Sequence, residues 1–111
     1  MNVEIKNLKR CDLVTLSGRI DSETSPRLEK ELAALTEANR FKFVLDLDQV
    51  EFMSSAGLRV LVNVQKLCKR YNRGEIVLSR VPKNIFNALD LAGFTSIIKI
   101  FDEPASAVGH F

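Results

Sequence analysis

At 111 residues the chain is long enough for one hydrophobic core and too short for two. Its 46% hydrophobic and 27% charged residues, with no tryptophan, are the composition of an ordinary globular domain, and a net charge of +2 is too small to imply nucleic-acid binding. No apolar run approaches the ~20 residues of a membrane span, and Met1 to Lys6 lacks the apolar centre of a signal peptide, so a cytoplasmic location is the default expectation.

Val3-Glu4-Ile5-Lys6 alternates apolar and polar residues, and Leu13-Val14-Thr15-Leu16 is rich in strand formers. With Lys9-Arg10-Cys11-Asp12 as the turn, these predict an opening hairpin, after which Gly18 breaks the strand pattern. Ser25-Pro26 predicts a helix start, with Ser25 as N-cap and Pro26 at the first helical position. Leu28, Leu32 and Leu35 fall on one face of that helix, which fades near Asn39. Phe41 to Leu47 is a short apolar run of strand length and reads as a buried central strand.

A second helix is predicted from about Ala56 to Tyr71, with Leu58, Leu61, Val64 or Gln65, and Cys68 facing inward. Arg59, Asn63, Lys66, Arg70 and Arg73 share the outer face, and Gly74 suits the left-handed cap. Glu75 to Ser79 is a further strand. Pro82 opens a third helix carrying Ile85, Phe86, Leu89 and Leu91 and closing near Gly93. Ile97 to Phe101 is the last strand, and Asp102-Glu103-Pro104 starts a short terminal helix. The order β-β-α-β-α-β-α-β-α predicts an α/β class with a mixed, largely parallel sheet covered by helices, in a single domain over residues 1–111.

Recognisable catalytic and cofactor motifs are missing: no phosphate loop, dinucleotide fingerprint, HExxH, GxSxG or CxxC occurs. Cys11 and Cys68 read as buried, reduced thiols. His110, the one histidine, reads as a solvated tail residue. Asp46 and Asp48 could suggest a metal pair, but no third ligand accompanies them. The expectation is a protein that is not an enzyme, with no catalytic residues, no metal and no cofactor.

The stretch with the most information is Phe52-Met53-Ser54-Ser55-Ala56-Gly57-Leu58-Arg59, where a strand gives way to a helix. Free backbone N–H groups and the positive end of the helix dipole meet there. A serine at that place can cap the helix, contributing roughly 1 kcal/mol, or it can be a modifiable hydroxyl. The outer-face cations have two readings as well: a solvated face, or a surface that steers an acidic partner. Phosphate or nucleotide binding at the helix start is a weaker third.

Phe52 to Leu61 resembles the signature of STAS domains, the family of bacterial anti-sigma factor antagonists. Gly18-Arg19-Ile20-Asp21, followed by a helix beginning at Ser-Pro, resembles the family's second hallmark. Val44 to Leu47 and the Ala92-Gly93-Phe94 unit with its closing strand also match the family pattern. The resemblance covers nearly the whole chain. It implies an antagonist that captures an anti-sigma factor which is also a serine kinase, is switched off by phosphorylation, and is restored by a serine phosphatase, so regulating sigma-dependent transcription. The implied phosphoacceptor is Ser55, with Ser54 as second choice. Ser54 stands where many phosphorylated members carry Asp. The implied partner-binding residues are Asp21, Ser54, Ser55, Ala56, Gly57, Leu58 and Arg59. Asp21 could hold a hydroxyl, help position the kinase, or cap the first helix. The alternative reading is an unphosphorylated structural subunit of a stress-sensing or transport-associated complex. A small nucleotide-binding protein would be a third, for which no motif speaks.

Overall fold

A computed structural model describes residues 1–111. Its elements run β1 (Asn2–Asn7), β2 (Asp12–Ile20), α1 (Ser25–Glu37), β3 (Lys42–Met53), α2 (Ser55–Lys69), β4 (Glu75–Ser79), α3 (Lys83–Leu91), β5 (Lys99–Phe101) and α4 (Pro104–Gly109). Short 3₁₀ turns occupy Arg70–Asn72 and Phe94–Ser96. One five-stranded sheet has the order β1-β2-β3-β4-β5. β1 and β2 are antiparallel, and every later pair is parallel. This is the α/β class and element order that the sequence predicts. No helix is long and apolar enough to cross a membrane.

The two faces of the sheet are covered unequally. Phe43, Leu45 and Leu47 of β3 join Val14, Leu16, Ile76 and Leu78 on one face. There they pack against Leu28 and Leu32 of α1, Val60, Leu61, Val64 and Cys68 of α2, and Ile85 and Leu89 of α3. Each such side chain contributes roughly 1.5–3 kcal/mol by leaving water. Val44 and Val77 alternate to the other face, where α4 brings Ala107 against them and Cys11. β3 is therefore buried on both faces from Phe43 to Leu47, which is why Phe43, Val44 and Leu45 are consecutive apolar residues; Asp46, also buried, is the one polar residue in the run.

Several local expectations need correction. Gly18 does not end β2. It sits at φ +85, beside register shifts between Thr15 and Ser17 and between Gly18 and Arg19, so it bends a strand that continues to Ile20. The central strand runs on to Met53 rather than stopping at Leu47. Ser25 lies inside α1, buried, and its hydroxyl donates to the Asp21 carbonyl, while Thr24 takes the N-cap position.

α2 ends at Lys69, and the left-handed residues after it are Tyr71 and Asn72, not Gly74. Gly74 serves another purpose: a Cβ there would lie 2.1 Å from the Phe41 carbonyl oxygen. Both Val64 and Gln65 are buried, as is Val60, whereas Leu58 is only half-buried. Gln65 Nε2 donates to the carbonyls of Ile76 and Ile97, and its Oε1 accepts from the Ile76 N–H, tying α2 to β4.

Leu91 is 92% exposed and adds nothing to the core. The last strand is shorter than expected, because Ile97 and Ile98 follow a 3₁₀ turn and precede β5. His110 folds back against Phe101 and Phe111, with Nε2 3.5 Å from Glu75. Both cysteines are buried and free, one on each face of the sheet. Burial raises both thiol pKa values, that of Cys68 to about 12.

Candidate functional site

The site is assembled at the end of the sheet where β2 and β3 finish side by side. Ile20 pairs with Met53, and the Ser54 N–H donates to the Ile20 carbonyl at 2.8 Å. This bond fixes the start of α2 against the last residue of β2. Ser54 is extended, at φ −82 and ψ 172, and its Oγ accepts from the Gly57 N–H across a long 3.4 Å. It is the N-cap of α2. Ser55 is the first helical residue and is exposed, its hydroxyl left to solvent because its neighbour makes the cap.

Gly57 sets how closely this turn approaches the sheet. It is buried, and a Cβ there would come within 2.8 Å of Ile20 Cγ2 and 2.9 Å of Met53 Cγ. Leu58, one residue on, packs against the main core. The serine pair thus stands on a first turn held by backbone hydrogen bonds and side-chain packing.

Asp21 lies next to Ile20 and acts within its own turn. Its Oδ1 accepts from the Glu23 N–H at 3.0 Å, the Thr24 N–H at 3.1 Å and the Thr24 hydroxyl at 3.2 Å. The hydrogen bond from the Thr24 amide, with help from the Glu23 amide and the charge of Arg19, holds the carboxyl below the usual carboxylate range. Of the roles open from sequence, the geometry displays turn-capping ahead of α1. None of these bonds reaches Ser54 or Ser55.

Ala56 and Arg59 line a cavity of about 210 Å³ between the starts of α1 and α2, together with Ser22, Ser25 and Glu29. Arg59 is exposed. The predicted site residues therefore share one pole: Ser54, Ser55, Ala56 and Arg59 at its surface, Gly57 and Leu58 as its footing, and Asp21 beside them. Arg73 does not extend the outer face of α2. It lies beyond the helix, donates to the Leu67 and Arg70 carbonyls, and stacks over Phe41 at 3.9 Å.

The Asp46–Asp48 pair is engaged by a cation of the chain itself. Asp46 is buried and bound by Arg80 through Nε at 3.1 Å and Nη2 at 2.6 Å, and no group of three ligating side chains forms anywhere. Two features of the pole escaped the sequence reading. The Arg19 guanidinium lies 4.5 Å from the centre of the Phe52 ring, which is itself 38% exposed. Asn84 of α3 donates to the Glu51 carbonyl and brings a third helix to the edge. The aromatic at Phe52 was visible, but its cation partner lies on another strand, and only the parallel pairing of Arg19 with Phe52 brings them together.

Comparison with known proteins agrees with this architecture. A family model described as the STAS domain matches residues 2–107. A protein of Bordetella bronchiseptica named BtrV and described as a candidate anti-sigma factor antagonist is 32% identical over 99 residues, covering 89% of this chain and 84% of its own. An anti-sigma F factor antagonist of Paenibacillus polymyxa is 27% identical, covering 97% of this chain and 92% of its own. The crystal structure of an anti-sigma factor antagonist from Mycobacterium paratuberculosis superposes with a TM-score of 0.87 at 22% identity, over 98% of this chain and 92% of the other. Sheet order, helix placement and sequence similarity over nearly all of its length agree, and the chain belongs to the STAS domain family.

Proposed function

We propose that this chain is an anti-sigma factor antagonist that binds a kinase-type anti-sigma factor through the serine pole and is released when that kinase phosphorylates Ser55. A serine phosphatase resets it, and the output is sigma-dependent transcription. The protein acts by binding, in the cytoplasm, without a cofactor. Relatives described as antagonists of anti-sigma factors support the partner class.

The observation that carries the reading is the difference between the two serines. Ser54 is half-buried and spends its hydroxyl on the helix cap, while Ser55 is exposed with its hydroxyl free. A kinase can reach Ser55 without opening the fold. The added phosphate brings about −1.5 to −2 charges, which the positive end of α2 favours by roughly 0.3–1 kcal/mol per charge. In a close-packed interface the same dianion must shed its water, and without a new partner that costs several kcal/mol. Since each ~1.4 kcal/mol is tenfold in affinity, release by two orders of magnitude or more follows with the fold intact.

The test is intact-mass analysis after incubation with ATP and the host's kinase-type anti-sigma factor, with Ser55→Ala and Ser54→Ala alongside. One added phosphate, lost in Ser55→Ala and kept in Ser54→Ala, is the expected result. A stable complex without phosphate would make the protein a constitutive binder. Neither complex nor phosphate would favour a structural subunit of a larger assembly.

A further inference from the structure

The end of the sheet opposite the serines carries a second feature, unconnected with the switch. The β1–β2 turn, the α1–β3 loop and the segment after α2 meet there around a cavity of about 270 Å³. Lys9, Arg10, Arg40, Lys42 and Arg73 line it, and no carboxylate does. On a chain with a net charge of only +2, this is a marked concentration of one sign. Asp12, the acid nearest to hand, is fully buried and already bound by Arg40 and Asn7.

Two of the five cations are fixed in place. Arg40 commits Nε and Nη2 to the Asp12 carboxylate at 2.8 and 2.7 Å, with Nη2 also donating to the Leu8 carbonyl. Arg73 commits Nε and Nη2 to the Arg70 and Leu67 carbonyls and stacks on Phe41. In both guanidinium groups Nη1 is left without a protein partner. The carbonyls that Arg73 covers belong to the end of α2, so the helix end most hostile to an anion is already screened. Lys9, Arg10 and Lys42 are exposed and make no ion pair. A rigid pair of guanidinium groups within a ring of free cations is the chemistry that recognises clustered phosphate oxygens.

We infer that this cavity is a binding site for a compact oligophosphate anion, a di- or triphosphate group. Only two of its lining residues are hydrophobic, Cys11 and Phe41, and Phe41 is already covered by Arg73. The wall therefore offers little to a nucleobase, and the phosphate chain itself is the recognised element, whether free or carried by a nucleotide.

Calorimetric titration of the whole chain with tripolyphosphate, ATP and orthophosphate tests this, at about 0.15 M salt so that loose surface attraction is screened. Saturable one-to-one binding of tripolyphosphate is expected, with orthophosphate weaker by about tenfold or more, because fewer charge-assisted hydrogen bonds are made. Equal affinity for ATP would identify the free phosphate chain as sufficient, and tighter ATP binding would identify a nucleotide as the source; both uphold the site. Lys9→Ala combined with Arg10→Ala, both exposed and outside the core, should weaken binding by about tenfold or more, while Ser55→Asp should leave it unchanged. Absence of saturable binding, or binding indifferent to the Lys9 and Arg10 substitutions but lost in Ser55→Asp, would overturn the assignment. A urea unfolding curve for the double variant that matches the parent's confirms that any loss is a loss of binding.

Discussion

The two ends of the sheet are built on opposite plans. At the serine end the serines themselves are positioned by neutral means: the Ser54 to Ile20 backbone hydrogen bond, the close seat of Gly57 on Ile20 and Met53, and an N-cap. At the other end, charge is structural. Arg40 neutralises the buried Asp12, and Arg73 closes the end of α2. A charge added at the first end meets a favourable dipole and no ion pair to break. A charge removed at the second end leaves a buried group unpaired. An added charge is therefore tolerable at the serine turn, whereas loss of the Arg40 charge at the other end would leave Asp12 unpaired.

Substitutions can break that contrast. The largest effect is expected from Gly74→Ala, because a Cβ would strike the rigid Phe41 backbone at 2.1 Å. A loss of about 3 kcal/mol or more in urea unfolding is expected. Arg40→Ala comes next. It strands the Asp12 carboxylate, whose side chain is 0% exposed, but Arg40 itself is 35% exposed and water can partly replace it. A loss of about 2 kcal/mol is expected, below the range for a wholly buried pair. A nearly unchanged unfolding midpoint would show that charge is not structural at this end.

At the serine end the same measurements should give small numbers. Ser54→Ala removes a cap whose hydrogen bond is long, at 3.4 Å, so about 0.5 kcal/mol is expected, the low end for such losses. Ser55→Ala should change stability by less than about 0.5 kcal/mol, even though it abolishes the proposed modification. If Ser55→Ala proved the more destabilising of the two, the division of labour between the serines would be wrong.

The smallest effect concerns acid. The folded Asp21 carboxyl titrates below its unfolded value of about 3.9. The stability it contributes is thus complete above about pH 4 and is lost as pH falls through the folded value. The stability difference between the parent chain and Asp21→Asn should be constant near neutrality and shrink below pH ~4.

Much of this molecule was legible in its sequence, and the failures have physical causes. The element order follows from hydrophobic periodicity, which the structure retains in Leu28 and Leu32, in Phe43 to Leu47 and in Leu61 to Cys68. The local pattern stops β3 short because Asp48 and Gln49 are polar and exposed. Their strand character comes from pairing with β2 across two bulges, a property of the partner that no local pattern carries. Gly18 breaks the local pattern for the same reason. Leu91 lies in α3 as the sequence predicts, but two residues past Leu89 it is off the face that Ile85 and Leu89 bury, and it is exposed. Arg73 kept the spacing of α2 after the helix had ended. In the site, the residues contiguous with the serines were legible, while Arg19 over Phe52 and the Ile20 carbonyl beneath Ser54 required the sheet.

Strands β1 to β5 lie side by side in the order in which the chain supplies them. No later strand has to insert between two earlier ones. During synthesis each new strand can dock on the edge its predecessor has just formed, with the intervening helix covering the face behind it. The parallel pairings still close over helical crossovers, Asp12 with Phe43 and Lys42 with Glu75, but each joins a strand only to its immediate predecessor in the chain. The serine turn, at the finish of the middle strand, precedes the last two strands in the chain, so the serine end of the molecule can take shape while its far edge is still being made.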